Sequence, residues 1–370
     1  MSNSRILAFG IFAIIIFTSG ILIASYEVFP YNVLKSLKND FFDEEKKSST
    51  YYENDINSLI HLQDPSSVEE TKNKLIHFFW KQKYLPEQLP DNVEFDIDDS
   101  RFSQMENLDS IDKITINMKY DINSISYLFN PIESNNELIL YHQGHRGDFF
   151  EGKNTIQFFL DNNYSVLAFS MPLLGMNNQP VLLHPEFGKI QLKTHNHLGL
   201  LEIDSFSPTS LFVEPPVIAL NYIQKNFNFN SVNMVGLSGG GWTTMMLSAI
   251  DSRIDQSFSI AGSYPIFLRN DPENFGDYEQ TNLSLYRTAN YLDLYTLASY
   301  GENRKFIQIF NKFDPCCFHG DSFLEYKDHI KKNISELENG HFDIFLDDTH
   351  KEHKISDYAL GIIINSLKND

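Results

Sequence analysis

The sequence predicts an α/β fold with a mainly parallel sheet. Two observations carry this. From about residue 137 onward, short apolar runs of strand type alternate with helix-type runs. Those short runs, such as "LILY" (138–141), "VLAF" (166–169) and "MVGL" (234–237), are apolar throughout rather than alternating. Uninterrupted apolar strands are expected where helices cover both faces of a sheet.

Each element follows in order. Arg5 precedes residues 6–25, "ILAFGIFAIIIFTSGILIAS", which hold no charge. About 20 such residues suffice to span a bilayer as a helix, whereas a cleaved signal peptide has an apolar region of ~7–15. The expectation is an uncleaved signal anchor over residues 1–25, with the rest of the chain on the non-cytoplasmic side, periplasmic or extracellular. Cleavage near Thr18-Ser19-Gly20 would instead make the protein secreted.

Residues 26–110 are polar and charge-mixed, and are expected to form a stalk or cap. Within them, 68–82 reads as a helix with Val68, Leu75, Ile76 and Phe79 on one face, ended by Pro86 and Pro90. The region 111–370 holds the main domain. Segments 112–120 and 124–131 read as two antiparallel strands. Then come strand 137–144, helix 154–163 and strand 164–172. Residues 175–208 show no clear period and form an insertion. Helix 215–226 carries Pro215 and Pro216 in its expected first turn. Strand 231–238, helix 240–251 and strand 255–263 follow. A second insertion, 270–300, is rich in Tyr and is expected to pack helices into the core. Strand 305–314, helix 321–333, strand 342–348 and helix 355–367 complete the chain.

Composition bounds the function. The 370 residues include 42% apolar and 14% aromatic side chains, enough for a sizeable core. The formal charge of −20 disfavours binding to nucleic-acid phosphates or anionic lipid. No Walker or dinucleotide motif stands. Cys316 and Cys317 are adjacent, too few for a cysteine metal cage and too close for an ordinary disulfide; small buried thiols are expected.

In parallel sheets, ligands bind beyond the carboxyl ends of the strands. Strand 231–237 ends on Gly236-Leu237-Ser238-Gly239-Gly240, with a helix starting at once. This G-x-S-x-G pattern between a strand and a helix is the nucleophile elbow, in which the serine hydroxyl stands above the sheet. A glycine-rich turn whose serine merely caps the helix is the alternative. Gly241 has no assigned role beyond close packing, and Trp242, Thr243 and Thr244 are expected to face the core.

On these residues the chain resembles the α/β-hydrolase superfamily, in particular its dienelactone-hydrolase-like and carboxylesterase-like members, over roughly residues 111–368. The resemblance implies a triad in the order Ser, Asp, His: Ser238, an acid after the next strand but one, and a His after the last strand. Asp314 meets the second requirement, with Asp321 as rival. His353 and His350 compete for the third; His353-Lys354-Ile355-Ser356 is similar to the carboxylesterase pattern and favours His353. The oxyanion hole implied is the backbone N–H of Gly239 plus one from the loop after strand 137–142. Gln143-Gly144 stands there in place of the usual His-Gly pair, so the expected second donor is the N–H of His145, with Arg146 as alternative.

His195 and His197 form an H-x-H pair with His184 and Asp204 nearby, but no carboxylate or cysteine set completes a recognisable metal site. No cofactor and no metal are expected. The expected activity is hydrolysis of a small-molecule or carbohydrate carboxylic ester through an acyl-enzyme; an amidase, a thioesterase or a non-catalytic scaffold on the same fold stays open.

Overall fold

The computed structural model describes residues 18–19, 55–269 and 275–368. The predicted anchor lies almost wholly outside them. Among the described residues no helix is long and apolar enough to cross a membrane.

Eleven strands are present among the described residues: β1 (Asn92–Glu94), β2 (Leu108–Asn117), β3 (Asn123–Pro131), β4 (Glu137–His142), β5 (Ser165–Phe169), β6 (Val181–His184), β7 (Gly188–Gln191), β8 (Ser231–Leu237), β9 (Gln256–Ile260), β10 (Lys305–Asn311) and β11 (His341–Asp347). Nine form one sheet in the order β1-β2-β3-β5-β4-β8-β9-β10-β11, and β6 and β7 form a separate hairpin. The pairings from β5 through β4 to β11 are parallel, whereas β1, β2 and β3 join antiparallel.

The uninterrupted apolar strands now have their reason. Leu138, Leu140 and Met234 enter one hydrophobic core, while Ile139, Tyr141 and Val235 enter a second on the opposite face of the sheet. Each side chain alternates faces, and both faces are dry.

The main helices are α1 (Pro65–Trp80), α2 (Lys153–Asp161), α3 (His195–Leu198), α4 (Ser210–Asn226), α5 (Gly239–Ile250), α6 (Tyr278–Thr281), α7 (Leu283–Thr288), α8 (Tyr291–Ser299), α9 (Lys327–Glu336) and α10 (Asp357–Lys368). Helix α1 starts at a capping box: the Asp64 carboxylate accepts from Ser67 N, and Ser67 Oγ accepts from Asp64 N. It stops at Lys81, whose left-handed φ of 55° ends the helical path before the prolines are reached. Val68, Leu75, Ile76 and Phe79 are buried as the spacing predicts. They join the same core as Leu138 and Trp242, so this part of the 26–110 region packs with the sheet. Burying each such side chain contributes about 1.5–3 kcal/mol.

One local expectation is corrected. Helix α4 begins at Ser210, so Pro215 and Pro216 lie inside it rather than in its first turn. Turns closed by Ser210 N to Ser207 O and Leu211 N to Pro208 O start the helix early, and burial of Leu211, Phe212 and Val213 favours that start. The 175–208 stretch, which shows no clear period in the sequence, holds the β6–β7 hairpin and α3.

Candidate active site

Ser238 sits between β8 and α5 with φ 57° and ψ −124°. A non-glycine residue there carries strain of about 1–3 kcal/mol, kept only where the surroundings over-determine it. Here Ser238 N donates to Ile260 O at 2.8 Å, and Trp242 N donates to Ser238 O at 3.0 Å. Three glycines make the turn possible. A Cβ on Gly236 would lie 2.1 Å from Gly240 O, and one on Gly240 would lie 2.0 Å from His142 O. A Cβ on Gly144 would lie 2.6 Å from Ser238 Cβ and 3.3 Å from Gly239 N. The loop after β4 therefore rests directly against the elbow.

Asp314 lies three residues beyond the end of β10, because the strand stops at Asn311. His353 Nδ1 donates to Asp314 Oδ2 at 2.7 Å, and both side chains are buried. Because the carboxylate can only accept, Nδ1 holds the proton and Nε2 carries the lone pair. Asp314 Oδ1 also accepts from Cys316 N at 2.8 Å, and Oδ2 from Asn311 Nδ2 at 3.2 Å. Burial by itself raises the Asp314 pKa; the His353 hydrogen bond and charge, with the Cys316 and Asn311 donors, outweigh it and hold the pKa below the usual value. Asn311 also donates to Lys354 O at 3.0 Å, which ties the His353 loop to the Asp314 loop.

The structure separates the two histidines that the sequence left in competition. His350 Nε2 lies 3.2 Å from Asp347 Oδ2 and away from Asp314. It lines a different concavity, beside Thr155 and Ser356. Asp321, the rival acid, stands at the start of a short 3-10 turn, Ser322–Glu325. Ser238 and His353 line one cavity of about 260 Å³ together with His145, Arg146, Asp277 and Cys316. Among the described residues, Ser238, Asp314 and His353 thus follow the carboxyl ends of β8, β10 and β11, from positions up to 115 residues apart.

No protein-family profile matches the sequence, and no curated protein matches it either. Solved structures do match. Acetyl xylan esterase 1 from Thermoanaerobacterium sp. JW/SL YS485 superposes with a TM-score of 0.54 at 12% identity, covering 84% of this chain and 96% of that one. An acetyl xylan esterase from Paenibacillus sp. R4 gives 0.53 at 11%, with the same coverage. Methylesterase BT1017 gives 0.56 at 10%, covering 84% of this chain and 65% of that one. The fold is that of the α/β hydrolases.

On this α/β-hydrolase scaffold, other expectations change. Cys316 and Cys317 are not buried thiols: they are joined by a disulfide, Cys316 is exposed, and both line the Ser238 cavity. They sit on an irregular loop after β10, and the strand register that would have buried them ends at Asn311. The H-x-H pair does not act as a unit. It lies on α3 rather than on a strand, so its rings diverge. His197 Nδ1 accepts from Lys193 N, and His184 Nε2 meets Leu200 O. His142 is buried with Nδ1 on Gln143 O, and burial pulls its pKa down to about 4.

His195 instead meets His145, with Nδ1 3.1 Å from His145 Nε2. Glu279 and Asp277, from the aromatic insertion, complete a cluster that the sequence did not suggest. Burial lowers the His145 pKa, but hydrogen bonds from its ring to Asp277 and Glu279 more than reverse this. Burial raises that of Glu279, and the His195 and His145 partners bring it down. The Tyr-rich insertion otherwise packs as expected: Tyr291 and Tyr295 are buried, and Trp242 Nε1 donates to Tyr286 Oη at 2.8 Å.

Proposed function

We propose that the protein is a serine esterase acting on short-chain carboxylic esters, with Ser238, His353 and Asp314 as its triad. The observation that carries this is the strained Ser238 turn sharing one cavity with His353, whose Nδ1 is held by Asp314. As Ser238 Oγ attacks the ester carbonyl, its proton passes to His353 Nε2. Asp314 stabilises the imidazolium that forms. The N–H groups of Gly239 and His145 hold the oxyanion, aided by the N-terminus of α5. His353 then gives its proton to the departing alkoxide, leaving an acyl-enzyme. Water, deprotonated by His353, releases the acid and restores Ser238.

A cavity of about 260 Å³ supports a small acyl group, and the acetyl xylan esterases and the methylesterase of similar fold support acetyl or methyl esters, including those on carbohydrates. The test is labelling by a fluorophosphonate probe together with hydrolysis of esters of graded chain length. Labelling lost in Ser238→Ala and highest turnover on acetyl esters are expected. Folded wild type that takes no label would leave a non-catalytic binding protein as the reading. Turnover only of amides or thioesters would reassign the substrate class.

We further infer that residues 6–25 tether this enzyme to a membrane, with residues 56–368 on the non-cytoplasmic side. The uncharged length of residues 6–25 supports the tether. A mature N-terminus beginning after residue 18, or full recovery of the uncleaved chain without membrane, would refute it.

A further inference from the structure

We propose that His145, His195, Asp277 and Glu279 bind one divalent transition-metal ion, zinc by preference, at the edge of the Ser238 cavity. The four residues each offer a ligand atom, and these atoms all lie within 4.8 Å of one another.

The spacing fits a first coordination sphere. His145 Nε2 lies 3.1 Å from His195 Nδ1, 3.1 Å from Glu279 Oε1 and 3.3 Å from Asp277 Oδ2. His195 Nδ1 lies 3.7 Å from Asp277 Oδ2 and 3.4 Å from Glu279 Oε2. A tetrahedral zinc with bonds of ~2.0–2.1 Å to nitrogen and oxygen has ligand–ligand edges of about 3.3–3.4 Å. The observed separations bracket that value.

Proton counting points the same way. His195 Nε2 lies 3.0 Å from Pro172 O, a group that can only accept, so Nε2 carries the hydrogen. Nδ1 is then the ring nitrogen that faces the cluster. A histidine whose far nitrogen is fixed on a carbonyl is the usual arrangement behind a metal ligand. Glu279 is fully buried, and its Oε2 makes no well-aligned hydrogen bond, with His195 Nδ1 the near polar atom at 3.4 Å. A buried carboxylate oxygen without a partner is costly. One divalent cation would reach all four ligands and balance the two carboxylate charges.

The ligands come from three distant segments: the loop after β4, α3, and the start of the aromatic insertion. The ion would therefore clasp the loop that carries His145 to the segment around α6, beside the cavity that Ser238 lines. This goes beyond the esterase reading and does not depend on it.

The test is metal content and binding on the full chain. Protein stripped with EDTA and titrated with zinc should take up one ion per chain and show a higher Tm. Cobalt(II) in its place should give the intense visible bands of a four-coordinate centre. Glu279→Gln, nearly isosteric, should weaken zinc binding at least a hundredfold while remaining folded by circular dichroism. Ser238→Ala and His197→Ala should bind as wild type, which separates this outcome from failure of the esterase reading. Folded wild type that takes up no zinc or cobalt, or Glu279→Gln that binds as tightly as wild type, overturns the proposal.

Discussion

Asp314→Asn is the sharpest test of the proposed triad. The carboxylate serves two sets of donors: Oδ2 accepts from His353 Nδ1 and Asn311 Nδ2, and Oδ1 accepts from Cys316 N. An amide has one oxygen and must choose. If its oxygen stays on Cys316 N, its NH2 faces His353. It then donates to Nδ1, moves the ring hydrogen to Nε2, and removes the base that Ser238 needs. If its oxygen turns to His353, its NH2 opposes the Cys316 N–H. A donor left unpaired in that way costs about 1–3 kcal/mol. Either flip also leaves no full charge beside the imidazolium. The expected loss in kcat is about 10³–10⁴-fold, or roughly 4–5.5 kcal/mol of barrier. The assay is steady-state hydrolysis of an acetyl ester at saturating substrate, with Tm as the control for folding. A variant that folds as wild type and keeps kcat within tenfold would show that Asp314 does not orient the base.

Three further outcomes are expected. His353→Ala should abolish ester hydrolysis, whereas His350→Ala, whose ring lies against Asp347, should keep kcat within about tenfold of wild type; the same steady-state assay reads both. Gly241→Ala should lower stability by about 1–3 kcal/mol in thermal denaturation, because its Cβ would come 2.9 Å from Gly262 Cα and Ser259 Oγ. The Arg101 guanidinium beside Asp99 holds that carboxyl at about 2, with burial opposing and Tyr127 assisting. A depressed folded pKa stabilises above the unfolded value of ~3.9 and loses its effect as pH falls toward 2, so the denaturation gap between wild type and Asp99→Asn, about 1–2 kcal/mol at pH 7 after allowance for solvent screening, should close across that window.

Much of this molecule was written locally. The continuous apolar strands needed two covered faces, and the cores on either side of the sheet supply them. The elbow was visible because a strand, a serine and flanking glycines must be contiguous for so tight a turn. The face of α1 followed from four apolar residues at helical spacing. Asp314, His350 and His353 became candidates through the resemblance, which implies an acid after the next strand but one and a His after the last strand.

Tertiary structure decided what depends on distance in space. Only the folding of two loops shows that Asp314 meets His353 while Asp347 meets His350, since both histidines follow β11 within six residues. Gly241 was unexplained in the sequence because its neighbour, Gly262, belongs to another segment across the packing between α5 and the end of β9. The α4 prolines misled because flanking apolar burial, not their own first-turn preference, set where the helix starts. The cysteines misled because the end of β10 left them on a loop. The cluster of His145, His195, Asp277 and Glu279 has no periodic signature at all. Its members lie up to 134 positions apart, on the loop after β4, on α3 and around α6, and they meet only once the chain has folded.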